Sequence, residues 1–140
     1  MKVEVSEELI REFVDNEFPG QPYYIGCGYW FVQAGKCLGQ NLHYEYQGDK
    51  VHLHIEGSNW RGIRDYLWNH VMDSRVSHSH WYRYGCNWTL DSDPQNWEEL
   101  KESFRTMSYI MSPHINKFER SVITPEEKPE NAPIVADFIK

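Results

Sequence analysis

Between Asn41 and Glu56 the chain reads NLHYEYQGDKVHLHIE, and apolar and polar side chains alternate on both sides of Gly48-Asp49. Glycine followed by aspartate is an accepted two-residue hairpin turn. A reversal there pairs Gln47 with Lys50, Tyr46 with Val51, Glu45 with His52, Tyr44 with Leu53, His43 with His54 and Leu42 with Ile55. A period of two then sends Leu42, Tyr44, Tyr46, Val51, Leu53 and Ile55 to one face, and His43, Glu45, His52, His54 and Glu56 to the other. The first face requires a cover of helices. The second is either a wet surface or a site.

The rest of the chain supplies that cover. Ser6 is a fair N-cap for a helix running to about Glu17, with Leu9 and Phe13, and Ile10 and Val14, at helical spacing. Phe18-Pro19-Gly20 stops it. Tyr23 to Gln33, YYIGCGYWFVQ, is apolar on both faces and predicts one central strand, with Ala34-Gly35-Lys36 turning into the hairpin. Ser58 and Asn59 cap a second helix whose Trp60, Ile63, Leu67 and Val71 form a buried stripe. Val76 to Ser92 predicts two strands broken near Gly85, with His78, His80, Tyr82 and Tyr84 on one side of the first. Asp93 as N-cap with Pro94 at the first helical position predicts the start of a third helix. Its seam is Trp97, Leu100, Phe104, Met107, Met111, His114 and Phe118, interrupted at Ser112-Pro113. The predicted order is α-β-β-β-α-β-β-α, an α+β domain with an antiparallel sheet of about five strands packed by three helices.

Residues 1–120 form the expected domain, and residues 121–140 a proline-rich acidic extension that cannot build a core. Within that extension Ile134, Val135, Phe138 and Ile139 are suited to dock in a groove or add an edge strand. A formal charge of -7 disfavours a general grip on phosphate backbones, so direct nucleic-acid binding is not expected. No apolar run reaches membrane-span length and no secretory h-region opens the chain, which reads as cytoplasmic. Cys27, Cys37 and Cys86 show no C-x-x-C spacing and read as packed thiols.

Aromatic residues make up 15% of the chain, more than a core of this size needs, and aromatics anchor interfaces. Trp68, Trp81, Tyr82, Trp88 and Phe138 are therefore the expected partner-binding residues of a protein-interaction module, whose partner on this reading includes a second copy in a homodimer. The histidine face carries a different chemistry. Cross-strand neighbours lie about 4.5–5.5 Å apart at Cβ, so His43, Glu45, His52 and His54 are the ligand set of an alternative reading. That reading is a zinc or other divalent-metal hydrolase, with His78 or His80 added from a later strand. A third reading is an acidic inhibitor or mimic acting on a nucleic-acid-handling protein. It requires the acidic side chains to gather on one face.

Two resemblances bear on these readings. In element order, over about 115 residues, the chain is similar to the chaperones of type III secretion systems, which are small, acidic, dimeric α+β proteins that bind extended peptide. In sequence, Trp97, Leu100, Phe104, Pro113 and Ile115 resemble the W-x-x-L, F and P-x-I pattern of an accessory domain of unknown function. That domain lies C-terminal to the catalytic domain in some predicted restriction-type nucleases. The family's Ile-Glu pair after its middle helix has no counterpart around Val71-Met72-Asp73, and no nuclease carboxylate-lysine motif exists here. The resemblance implies a non-catalytic recognition module.

Overall fold

The computed structural model describes residues 2–26, 29–81 and 85–116, with 79–81 described by backbone alone. The elements are α1 (Glu7–Glu17), β1 (Tyr23–Gly26), β2 (Tyr29–Cys37), β3 (Gln40–Gln47), β4 (Lys50–Glu56), α2 (Trp60–His70), β5 (Val76–Trp81), β6 (Gly85–Leu90) and α3 (Trp97–Met111). A 3-10 turn over Ser112–His114 follows α3, where Ser112-Pro113 interrupts its seam. The fold is α+β, and its six strands lie in the order β1-β2-β3-β4-β6-β5, each neighbour antiparallel to the next.

The β3–β4 hairpin has all six of the predicted pairs, from Leu42↔Ile55 to Gln47↔Lys50. Its apolar face carries the core, where Leu42, Tyr44, Leu53 and Ile55 are fully buried under the helices. Phe104 of α3 stacks on Trp30 of β2, with centroids 4.3 Å apart and planes 13° from parallel. Phe13 of α1 meets Trp30, Phe104 and Trp97 edge-on, at 6.2, 6.0 and 5.6 Å. This aromatic knot joins two helices to the sheet, and edge-to-face geometry adds to its area burial. Ser6 caps α1 by accepting the Leu9 N–H at 3.4 Å. On α2, Trp60, Ile63 and Leu67 are buried as the stripe requires.

Three local expectations are corrected. Residues 23–33 do not form one strand: they divide into β1 and β2, which pair with each other from Tyr23↔Val32 to Gly26↔Tyr29. The turn after β2 lies at Leu38-Gly39, both with positive φ (49° and 83°), while Gly35 marks a shift of register inside β2. The N-cap of α3 is Asn96, whose side chain accepts the Glu99 N–H at 2.9 Å, while Asp93 pairs with Lys50 at 2.8 Å. A register shift in β5 sets His78 opposite Trp88 and His80 opposite Asn87, and the expectation that His78, His80, Tyr82 and Tyr84 share a side rests on side chains outside the described ones. Gly85 is required by close approach, since a Cβ there would run into the Ile55 carbonyl oxygen.

The expectation for residues 121–140 lies outside the described residues. No described helix is long and apolar enough to cross a membrane.

Candidate functional site

The register of β2, β3, β4 and β6 assembles the polar face as rows. Gln33, His43, His54 and Asn87 form one row, and Phe31, Glu45, His52 and Thr89 the next. All three helices pack on the opposite side, as the ring contacts of Phe13, Phe18, Trp68 and Phe104 with Trp30, Tyr44 and Trp88 show. The face is nevertheless not wet, for Phe31, Gln33, His43, Glu45, His54, Asn87 and Thr89 are buried. Of the two alternatives for this face, a wet surface is therefore not what the described residues form.

His54 Nδ1 lies 2.9 Å from Asn87 Oδ1 and 3.8 Å from Glu45 Oε1, while its Nε2 lies 3.9 Å from Glu56 Oε2. His52 Nδ1 lies 2.9 Å from Thr89 Oγ1. His43 packs edge-on against Phe31, with centroids 4.7 Å apart. Burial, reinforced by His54, lowers the His43 pKa to about 3, so this imidazole is neutral at physiological pH. Burial raises Glu45, opposed by His54 and reinforced by Glu56.

The predicted metal set is thus brought onto one face but not onto one point. His54 engages Asn87, while His52 is held between Thr89 Oγ1 at 2.9 Å and the Gln47 carbonyl at 3.3 Å, so each ring is occupied by partners of its own. Among the described residues, no three histidine, cysteine or acidic side chains gather closely enough to hold a metal ion. His78, the suggested additional ligand, stands on the helical side against Trp68 and Trp88. Cys86 shares that side, and burial raises its thiol pKa to about 11, which removes it as a nucleophile paired with these histidines. The arrangement is a buried polar network that orients its own members.

The predicted partner-binding residues separate. Trp68 is 63% exposed on α2, although its ring also meets Trp88 and His78 at 6.3 and 5.9 Å. Trp88 is not an exposed contact: at 4% exposure it lies in the core beneath α2. Trp81 is described by backbone alone, and Tyr82 and Phe138 lie outside the described residues.

Four exposed large apolar side chains among the described residues went unpredicted: Leu38, Met72, Tyr109 and Leu9, the last expected in the stripe of α1. Met72 is 85% exposed just past the end of α2, and Tyr109 is 75% exposed on α3. Tyr109 stands off the three-and-four seam between Met107 and Met111, which was a legible sign that it faces outward. Arg75 ties these elements together. It follows Met72 by three residues, interacts electrostatically with Tyr109, and is held by Asp73 through contacts of 3.0 and 2.7 Å.

Beside Arg75 opens a cleft of about 340 Å³, lined by Leu90, Asp91, Asp93, Glu99, Glu102 and Thr106 among others. The adjacent strand β5 is the outer strand of the sheet, paired on one side with β6. No protein-family model, no curated protein and no solved structure matches this chain.

Proposed function

We propose that this chain is a non-catalytic interaction module that docks a protein partner, or a second copy of itself, where α2 meets β5, with Trp68 as the anchor. The observation that carries this reading is the exposed Trp68 ring seated on buried Trp88 and on His78, with Met72 one helical turn further along the chain. A large rigid ring held from below loses little conformational entropy when a partner covers it, which is how aromatic hot spots work. The resemblance to an accessory recognition domain points the same way.

The test is light scattering across a concentration series, together with capture from the native extract, for wild type, Trp68→Ala and the remote control Leu9→Ala. The expected result is a dimer or a captured protein that Trp68→Ala abolishes and Leu9→Ala retains. A 16.7 kDa monomer that captures nothing dependent on Trp68 sinks the reading.

A second reading, an acidic inhibitor or mimic directed at a nucleic-acid-handling protein, is favoured by one observation: Asp91, Asp93, Glu99 and Glu102 line the same cleft. Its check is competition. Added duplex DNA would displace neither reading's partner unless that partner itself binds nucleic acid.

A further inference from the structure

We propose that the partner contributes an extended, basic segment that adds to β5 as a further strand, with an apolar side chain against Trp68 and a Lys or Arg side chain in the cleft beside Arg75. This inference rests on the interaction-module reading and goes beyond it by stating the chemistry of the occupant.

Three features meet at this place. The first is backbone. Strand β5 is hydrogen-bonded to β6 on one side, and no described strand pairs with its other side. Sheet edges left open in this way are usually guarded by lysine or proline, because they template strand addition. Val76 to Trp81, VSHSHW, contains neither, nor any carboxylate.

The second is an apolar anchor. Trp68 is among the exposed large apolar side chains of the described residues, and its ring lies 5.9 Å from that of His78, which sets it over strand β5.

The third is charge. The cleft is lined by Asp91, Asp93, Glu99 and Glu102; Lys50 pairs with Asp93 at 2.8 Å, Arg105 lies 3.8 Å from Glu102 and the lining Arg75 is engaged by Asp73, which leaves carboxylates in excess there. The backbone joins the cleft to the strand, since the Asp91 N–H donates to the Arg75 carbonyl at 2.7 Å at the start of β5. A chain that carries -7 overall also draws a basic partner at long range.

Both Trp68 and the cleft lie on the helical side of the sheet, because His78, Trp88 and Leu90 face that way. Side chains of an added strand return to one face at every second residue, about 6.7 Å apart. The matching segment therefore carries its apolar and basic residues on the same face, about two to four positions apart. Backbone bonding supplies affinity and alternate side chains supply choice, as in other strand-addition complexes.

The experiment uses two synthetic peptides, acetyl-TVTFTKTKT-amide and its counterpart with Glu in place of both Lys, titrated into the isotope-labelled full chain and followed by amide shifts and hydrogen exchange. The expected result is that the Lys peptide slows exchange of the β5 amides. Trp68→Ala and Glu102→Lys each weaken its binding by about tenfold, Leu9→Ala does not, and the Glu peptide leaves the spectrum unchanged. All three variants are surface positions, and their own amide spectra report whether they fold.

The proposal is overturned if both peptides bind alike, or if neither protects β5. It is also overturned if light scattering shows a dimer abolished by Trp68→Ala, since a second copy is then the occupant. In that last case the interaction-module reading stands. It fails separately, if captured partners and self-association are both indifferent to Trp68.

Discussion

His54 and Asn87 face each other across the β4–β6 ladder, with Nδ1 2.9 Å from Oδ1, on the side of the sheet that no described helix covers. An amide oxygen in that place selects the tautomer with the proton on Nδ1 and turns the ring toward β6. Replacing Asn87 by Leu removes the acceptor while filling the space. Leaving a buried donor unmatched costs about 1–3 kcal/mol. The expected outcome is a lower urea midpoint with an unchanged slope. An unaltered midpoint would show that the pair does not stabilise the fold.

Acid should weaken the protein through His43. Its folded-state pKa lies near 3, against 6.5 for the ordinary side chain. As pH falls below 6.5 the unfolded chain takes up a proton that the native imidazole refuses, so stability declines with pH. The decline amounts to about 3 kcal/mol by pH 4. In His43→Gln this share disappears. The stability gap between variant and wild type should therefore move in favour of the variant from pH 7 to pH 4, read by denaturant titration at each pH.

Glu45 has the opposite sign. Burial raises its carboxyl above the ordinary value, so the native state resists the ionisation that the unfolded chain undergoes freely above pH 4.5. The resulting destabilisation is absent at low pH and grows as pH rises. Glu45→Gln is expected to raise the thermal midpoint at pH 7, with the gain over wild type shrinking as pH falls toward 4. A variant less stable at pH 7 would mean that the attraction of His54 outweighs burial.

Two tryptophans in contact should behave differently when cut back. Trp88 lies in the core, and Trp88→Ala is expected to remove about 3–5 kcal/mol of unfolding free energy. Trp68 is mostly exposed, and Trp68→Ala should stay within about 1 kcal/mol. Thermal denaturation of both variants checks the contrast. A severe loss in Trp68→Ala would assign that ring to the fold and remove it as an anchor.

Burying the helix-covered face drives the fold, and that face is written into local pattern. The β3–β4 register was legible because two strictly alternating segments flank a turn signal, and a slip of one residue would expose Leu42, Tyr44, Leu53 and Ile55 together. The stripe of α2 and the end of α3 at Ser112-Pro113 were legible for the same kind of reason. Residues 23–33 were not. A segment apolar on both faces has no phase, so nothing local marked the reversal between β1 and β2.

What remained hidden depends on neighbours distant in sequence. Lys50 pairs with Asp93 across 43 positions, and Asn96 is the cap of α3. A register shift interrupts the pairing of β5 with β6 between His78 and His80, and α2 encloses Trp88 while leaving Trp68 outside. The same applies to the histidines. Alternation places His43, Glu45, His52 and His54 on one side of the sheet, but the turning of His52 and His54 toward Thr89 and Asn87 required strand β6 to arrive beside β4. Periodicity assigns a side chain to a face, whereas its depth, charge state and bonding partner belong to whatever chain folds against that face.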